Sequence, residues 1–197
     1  MGAPRRIDKT VRIDGGKSPV RAAVLAVLVE QPSHGWDVAR RTNRRVGSLW
    51  IDPKHIYSHL GWLEQEGLVR LEQESSDRHP YRRDVYYATD EGVEAREQWL
   101  AAPLASGAVG RSDLERRLLF STKRDVPVLL RAVAYRRAQL AGEIDENAAS
   151  STVPVSYLAA MINLQRSSVD KRLKAEMEWL AEARKELEDQ RDKPSPR

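Results

Sequence analysis

The chain has 197 residues, enough for one domain with a full core or for two small ones. It contains no cysteine, which excludes disulfides, thiolate metal sites and cysteine nucleophiles, and no apolar run approaches the roughly 18 residues a membrane span needs, so a cytoplasmic protein is expected. The net charge is only +4, yet Arg5, Arg6, Lys9, Arg12, Lys17, Arg21, Arg40, Arg41, Arg44, Arg45 and Lys54 far outnumber the acids before residue 60, a distribution that suits a polyanionic partner.

Residues 1–17 carry mixed charges without a sustained period and without the apolar core of a secretory signal, so they are expected to form a mobile basic arm. Ser18-Pro19 then starts a helix, Ser18 as cap and Pro19 in the first turn, with Val20, Val24, Val27 and Leu28 as its apolar stripe. Gln31-Pro32 stops it, because proline disfavours helical geometry in the residue before it. Ser33 caps a second helix from about His34 to Arg45, whose end is crowded with Arg40, Arg41, Arg44 and Arg45 where cations suit the helix dipole.

Asp52-Pro53 opens a third helix, with Ile56, Tyr57, Leu60 and Leu63 at helical spacing and Gly67 as its stop. Leu68 to Glu74 alternates like a strand, Ser75 to Pro80 reads as a loop and Asp84 to Ala88 as a returning strand. Thr89 caps a fourth helix through about Ala101, after which a stretch to Gly110 rich in Pro, Gly, Ala and Ser marks the domain boundary. The expected fold is mainly α: a winged helix-turn-helix over 18–101 with one β-hairpin, then antiparallel helices over 111–190 for dimerisation and a disordered tail, 191–197. Those helices are Asp113 to Ser121, Val126 to Ala149 and Val155 to Gln190; Ile162, Val169, Leu173, Leu180 and Leu187 form a seam near coiled-coil spacing, interrupted by Glu176.

In a helix-turn-helix the second helix of the pair enters the major groove, and neighbouring cations hold phosphates. Here that helix exposes Lys54, His55, Ser58 and His59 while Ile56, Leu60 and Leu63 turn inward, and the hairpin loop carries Arg78, Arg82 and Arg83, which suit phosphates or a narrow minor groove. A polar helix face on any small domain, or charges guarding a hairpin tip, would look similar. His55 and His59 have the spacing of two zinc ligands, but no glutamate follows His55 and no third ligand is evident, so no metal is expected. No nucleophile elbow, phosphate-binding glycine loop or carboxylate pair is present, so no catalytic residue, cofactor or enzyme activity is expected either.

Pro32-Ser33-His34-Gly35-Trp36, Gly47-Ser48-Leu49-Trp50, Pro53, Ile56-Tyr57, Leu63-Glu64-Gln65-Glu66-Gly67-Leu68-Val69, Val85-Tyr86 and Thr89-Asp90-Glu91-Gly92 occur in this order. Together they resemble the PadR family of transcription regulators over about residues 20–103. The resemblance implies a winged-helix homodimer on double-stranded, inverted-repeat operator DNA, usually a repressor, often released by a small aromatic effector. Carried over by position, it puts Lys54, His55, Tyr57, Ser58 and His59 on the DNA-reading helix and Arg78, Arg82 and Arg83 on the wing; Arg40, Arg41 and Arg44 at the end of the second helix are further DNA-binding candidates by their charge. Trp99 and Trp50 are the aromatic candidates for an effector. Trp36 stands where the family usually has tyrosine, and Gly61-Trp62 replaces a commonly polar pair, leaving Trp62 on the face of His55 and Ser58 in need of a partner. The alternative from another class is a winged-helix module that binds protein, such as an antirepressor.

Overall fold

The structure, a computed structural model, describes residues 19–46, 51–76, 79–149 and 156–193, with the backbone alone over 74–76 and 79–83. The expected basic arm, Trp50 and Arg78 lie outside the described residues. The chain divides into two compact units, Met1–Ala102 and Pro103–Arg197.

In the first unit, α1 (Pro19–Glu30), α2 (Gly35–Val46), α3 (Pro53–Gln65) and α4 (Asp90–Ala101) surround a small sheet of β1 (Ser33–His34), β2 (Val69–Ser76) and β3 (His79–Ala88). The order is β1-β3-β2, all antiparallel, with Val69 opposite Ala88 and Glu74 opposite Arg83. Two features depart from the sequence expectation. Ser33-His34 is not the cap and first turn of α2 but a short third strand, paired with Tyr86 and Val85; two residues are too few to show a period of two. The hairpin is also longer than expected: the strands reach Ser76 and resume at His79, so Arg82 and Arg83 lie on β3 rather than in a loop.

The core of this unit is α1. Instead of one apolar stripe it buries every residue from Ala22 to Leu28, because α2, α3, α4 and β3 all pack on it and its alanines let them approach closely. Ile56, Leu60 and Leu63 of α3 and Val38 of α2 complete the centre, each fully enclosed.

In the second unit, α5 (Gly107–Leu119) and a 3₁₀ turn, Lys123–Asp125, precede two long helices, α6 (Val126–Ala149) and α7 (Tyr157–Asp192). The stretch expected to be a linker is already helical from Gly107, six residues earlier than the sequence suggested. Gly107 takes a left-handed φ of 66°, and a Cβ at Gly110 would lie 1.8 Å from the Ala105 carbonyl oxygen. The small residues make a tight entry into α5, not a spacer. The α6–α7 core contains Val126, Leu129, Val133, Leu140, Leu173, Leu180 and Leu187, with Val169 against it. The α7 seam runs through Ala159, Ile162, Arg166, Val169, Leu173, Glu176, Leu180, Ala183 and Leu187, alternating steps of three and four.

Glu176, expected to interrupt this stripe, belongs to it. Its Oε1 accepts from Arg136 Nε at 2.8 Å, and Arg136 Nη1 donates to Glu143 at 2.7 Å, with the Gly107 amide on the same Glu143 oxygen at 3.1 Å. Burial works against the Arg136 charge, but hydrogen bonds to Glu176 and Glu143 outweigh it and hold the guanidinium above its ordinary value.

Candidate nucleic-acid interface

Helix α3 is specified at both ends. Asp52 Oδ1 accepts from the Lys54 amide at 2.8 Å, and Pro53 occupies the first turn. At the other end the Leu68 amide reaches the Leu63 carbonyl and the Gly67 amide that of Glu64, both at 2.9 Å, while Gly67 adopts a φ of 74°; this double bond pattern requires a residue free to turn left-handed. The entry is fixed again by Asn43 on α2, whose amide donates to the Ile51 carbonyl and accepts from the Ile51 N–H at 2.9 and 2.8 Å. With its inner face sealed in the core, α3 presents Lys54, His55, Tyr57 and Ser58 to solvent. Tyr57 has a structural duty as well: a Cβ on Gly35 would lie 2.4 Å from its ring, so Gly35 lets the tyrosine lie against the start of α2.

The cations of α2 have different surroundings. Arg41 donates to the Gln31 carbonyl and Ser33 Oγ at 3.1 and 2.8 Å and pairs with Glu30, which Arg45 grips with both Nη groups at 2.7 and 2.5 Å. This ties the end of α1 to α2. Arg40 pairs with Asp37 at 2.9 Å and lies against the exposed ring of Trp36. Arg44 and Lys54 are exposed and have no acidic partner among the described residues.

The partner missing for Trp62 is Arg21 of α1, whose guanidinium carbon lies 3.9 Å from the ring centroid. His59 sits half-buried one turn before Trp62. Burial first, then Arg21 and His55, hold its pKa below the ordinary 6.5. The unfolded chain therefore takes up this proton at higher pH than the folded chain, and stability falls as pH drops through about 6.5 and below. Between about pH 7.5 and 5.5 the thermal midpoint of the wild-type unit is expected to fall more than that of His59→Gln; parallel curves would contradict this account.

A protein-family model described as the transcriptional regulator PadR-like family matches residues 24–98, which span α1 to α4. Residues 24–98 are therefore similar to that family. A probable transcriptional regulator of Mycobacterium tuberculosis is 33% identical over 114 residues, 57% of this chain and 58% of that protein. The chain therefore spans little over half of that relative's length. Among solved structures, Bacillus subtilis PadR in complex with operator DNA is 20% identical, with 84% of this chain and 97% of that chain covered and a TM-score of 0.39. A PadR-like transcriptional regulator from Bacillus cereus is 22% identical, with coverage of 87% and 98% and a TM-score of 0.39.

Within the matched residues, the Thr89-Asp90-Glu91-Gly92 motif anchors α4. Thr89 Oγ1 donates to the Gly67 carbonyl at 2.8 Å and accepts from the Gly92 amide at 3.0 Å. Trp99 on α4 is 4% exposed and offers a ligand no open ring face. Among the described residues no three histidines or carboxylates converge as metal ligands, and no helix is long and apolar enough to cross a membrane. Outside the matched residues, Leu173, Leu180 and Leu187, expected to join subunits, are buried in the chain's own α6–α7 core with Val169 packed against them, and Ile162 is half-buried. Sequence periodicity finds such a seam but not which helix fills it. The exposed large apolar residues of α7 are Tyr157, Leu158, Met161 and Leu164.

Proposed function

We propose that this protein is a transcription regulator that binds operator DNA as a homodimer, with α3 in the major groove and the β2–β3 hairpin as its wing. The observation that carries this reading is the outward face of α3: a helix capped at both ends and fixed by Asn43 exposes Lys54, His55 and Ser58 without an acidic partner among the described residues. The match to the PadR-like family over 24–98 supports it. Lys54, His55 and Ser58 would meet base edges and the nearest phosphates, with Tyr57, His59 and Arg44 flanking them and Arg40 at the margin. Arg41 acts through the α1–α2 joint. Arg78, Arg82 and Arg83 would meet the backbone or minor groove from the wing.

The dimer would cover the stripe of Leu158, Met161 and Leu164, since monomeric chains rarely leave large apolar groups contiguous on one face. Two copies related by a two-fold axis read an inverted repeat with half-sites about 34 Å apart, and occupancy there would block polymerase. A small aromatic effector would relieve repression only by binding the arrangement that cannot engage DNA more tightly; to stack on Trp99 it must first displace the packing around that ring.

Footprinting the purified chain on the DNA upstream of its own gene tests the reading. Protection of an inverted repeat is expected, and Lys54→Ala or His55→Ala should each weaken it by about 1–3 kcal/mol, roughly 5- to 150-fold, with little change in thermal midpoint because both side chains are exposed. Absence of protection on any upstream DNA, with a folded protein, would shift the reading to a protein-binding winged helix.

A further inference from the structure

We propose that Arg21, held over the ring of Trp62, is a DNA-phosphate contact that extends the interface from α3 onto the first turn of α1. This rests on the DNA-binding reading above and adds a residue and a holding device to it.

Arg21 differs from the three arginines of α2 that are engaged with acids, and unlike the freely exposed Arg44 it lies against an aromatic ring. Arg40, Arg41 and Arg45 each meet an acid, whereas Arg21 makes no ion pair and no hydrogen bond among the described residues. Its Nε is buried without an acceptor, while its Nη groups are not enclosed. A guanidinium with five donors and no acceptor is short of an anion. The indole ring satisfies part of this deficit without taking up an N–H donor, since a cation over an aromatic face uses none of its hydrogen-bonding groups. Two parallel donors on a fixed plane match the oxygens of a phosphodiester.

The position is also suited. Trp62 follows His55 and Ser58 on the outward face of α3 at intervals of three and four residues, so it continues the surface that would face the groove. His59 lies close enough to feel both Arg21 and His55. Arg21, Trp62, His59 and His55 are therefore neighbours on one surface that spans two helices. With the first turns of α3 over base edges, a residue at its flank on a neighbouring helix meets the rim of the groove, where the phosphates run. Trp62 acts in this scheme as a positioning residue: it fixes the guanidinium and need not touch DNA.

The test is fluorescence anisotropy of the full chain on two labelled duplexes, the one protected in the footprint and one of unrelated sequence, across a salt series. Arg21→Ala and Arg21→Gln should weaken both duplexes alike, by roughly 5- to 20-fold per dimer at moderate salt. They should also reduce the log–log salt slope by about 0.9 for each phosphate lost. Arg21→Lys should keep the slope. Trp62→Ala should weaken binding and Trp62→Phe restore most of it, with no further loss when Trp62→Ala is added to Arg21→Ala. A merely structural role would instead lower the thermal midpoint and leave the slope alone. If Lys54→Ala weakens binding while both Arg21→Ala and Arg21→Gln keep the wild-type slope, the Arg21 contact is overturned and the DNA-binding reading survives. If the wild-type chain binds neither duplex at low salt, both fall together.

Discussion

Replacing Arg136 with alanine is expected to destabilise the C-terminal helical unit by about 3–5 kcal/mol, enough to unfold much of it at moderate temperature. The side chain is fully enclosed and joins Glu176 on α7 to Glu143 on its own helix, and Glu143 in turn holds the amide that opens α5. Without the guanidinium, Glu176 is left buried at 4% exposure with no counter-charge, and burial of an unpaired carboxylate is costly. Urea titration followed by circular dichroism measures the loss; a change under about 1 kcal/mol would mean that water reaches this cluster freely. The acid limb provides a second readout. Burial opposes the Glu143 charge, but the Arg136 hydrogen bond and the Gly107 amide outweigh it and hold this carboxyl below its ordinary 4.5. Its contribution is therefore present above that value and is lost as pH falls further, and Arg136→Ala should flatten that part of the curve.

Gly92→Ala is expected to cost the N-terminal unit about 2–3 kcal/mol or more, the upper range for overpacking. A Cβ there would stand 2.0 Å from the Leu68 carbonyl oxygen, which already accepts from the Thr89 amide at 3.0 Å, and 3.3 Å from Leu25. The obstacle is backbone on a short connection between Gly67 and β2, so it cannot swing aside like a side chain. Gly61→Ala on α3 serves as the internal contrast, since a Cβ there would meet nothing within 4 Å, and relief of glycine's helix penalty should stabilise by up to about 1 kcal/mol. Thermal melts of both variants check the pair, and equal shifts would contradict the close approach at Gly92.

Helix α3 was legible because local chemistry specifies it: Asp52-Pro53 at one end, Gly67 at the other and three large apolar residues between. The hairpin pattern and the Thr89 cap were legible for the same reason. What escaped depends on partners distant in sequence. The strand Ser33–His34 exists through Tyr86 and Val85, 53 and 51 residues away by their register. The apolar residues of α1 fit a single stripe until the surrounding helices are placed. Arg41 looked like a phosphate ligand because charge at a helix end is visible in sequence, whereas its engagement with Glu30 is not. Likewise Trp62 had no visible partner until α1 brought Arg21 to it, and Glu176 looked like a flaw in the seam until α6 supplied Arg136.

The seam between α6 and α7 also bears on how the chain finds its fold. Two long helices with regularly spaced apolar residues can zip together in several alignments offset by a heptad, all of them burying similar surface. Only one alignment brings Glu176 to Arg136. Every other strands a buried charge, so misaligned pairings are shallow and short-lived, and a single ionic contact near the middle of the hairpin sorts correct assembly from its near-copies.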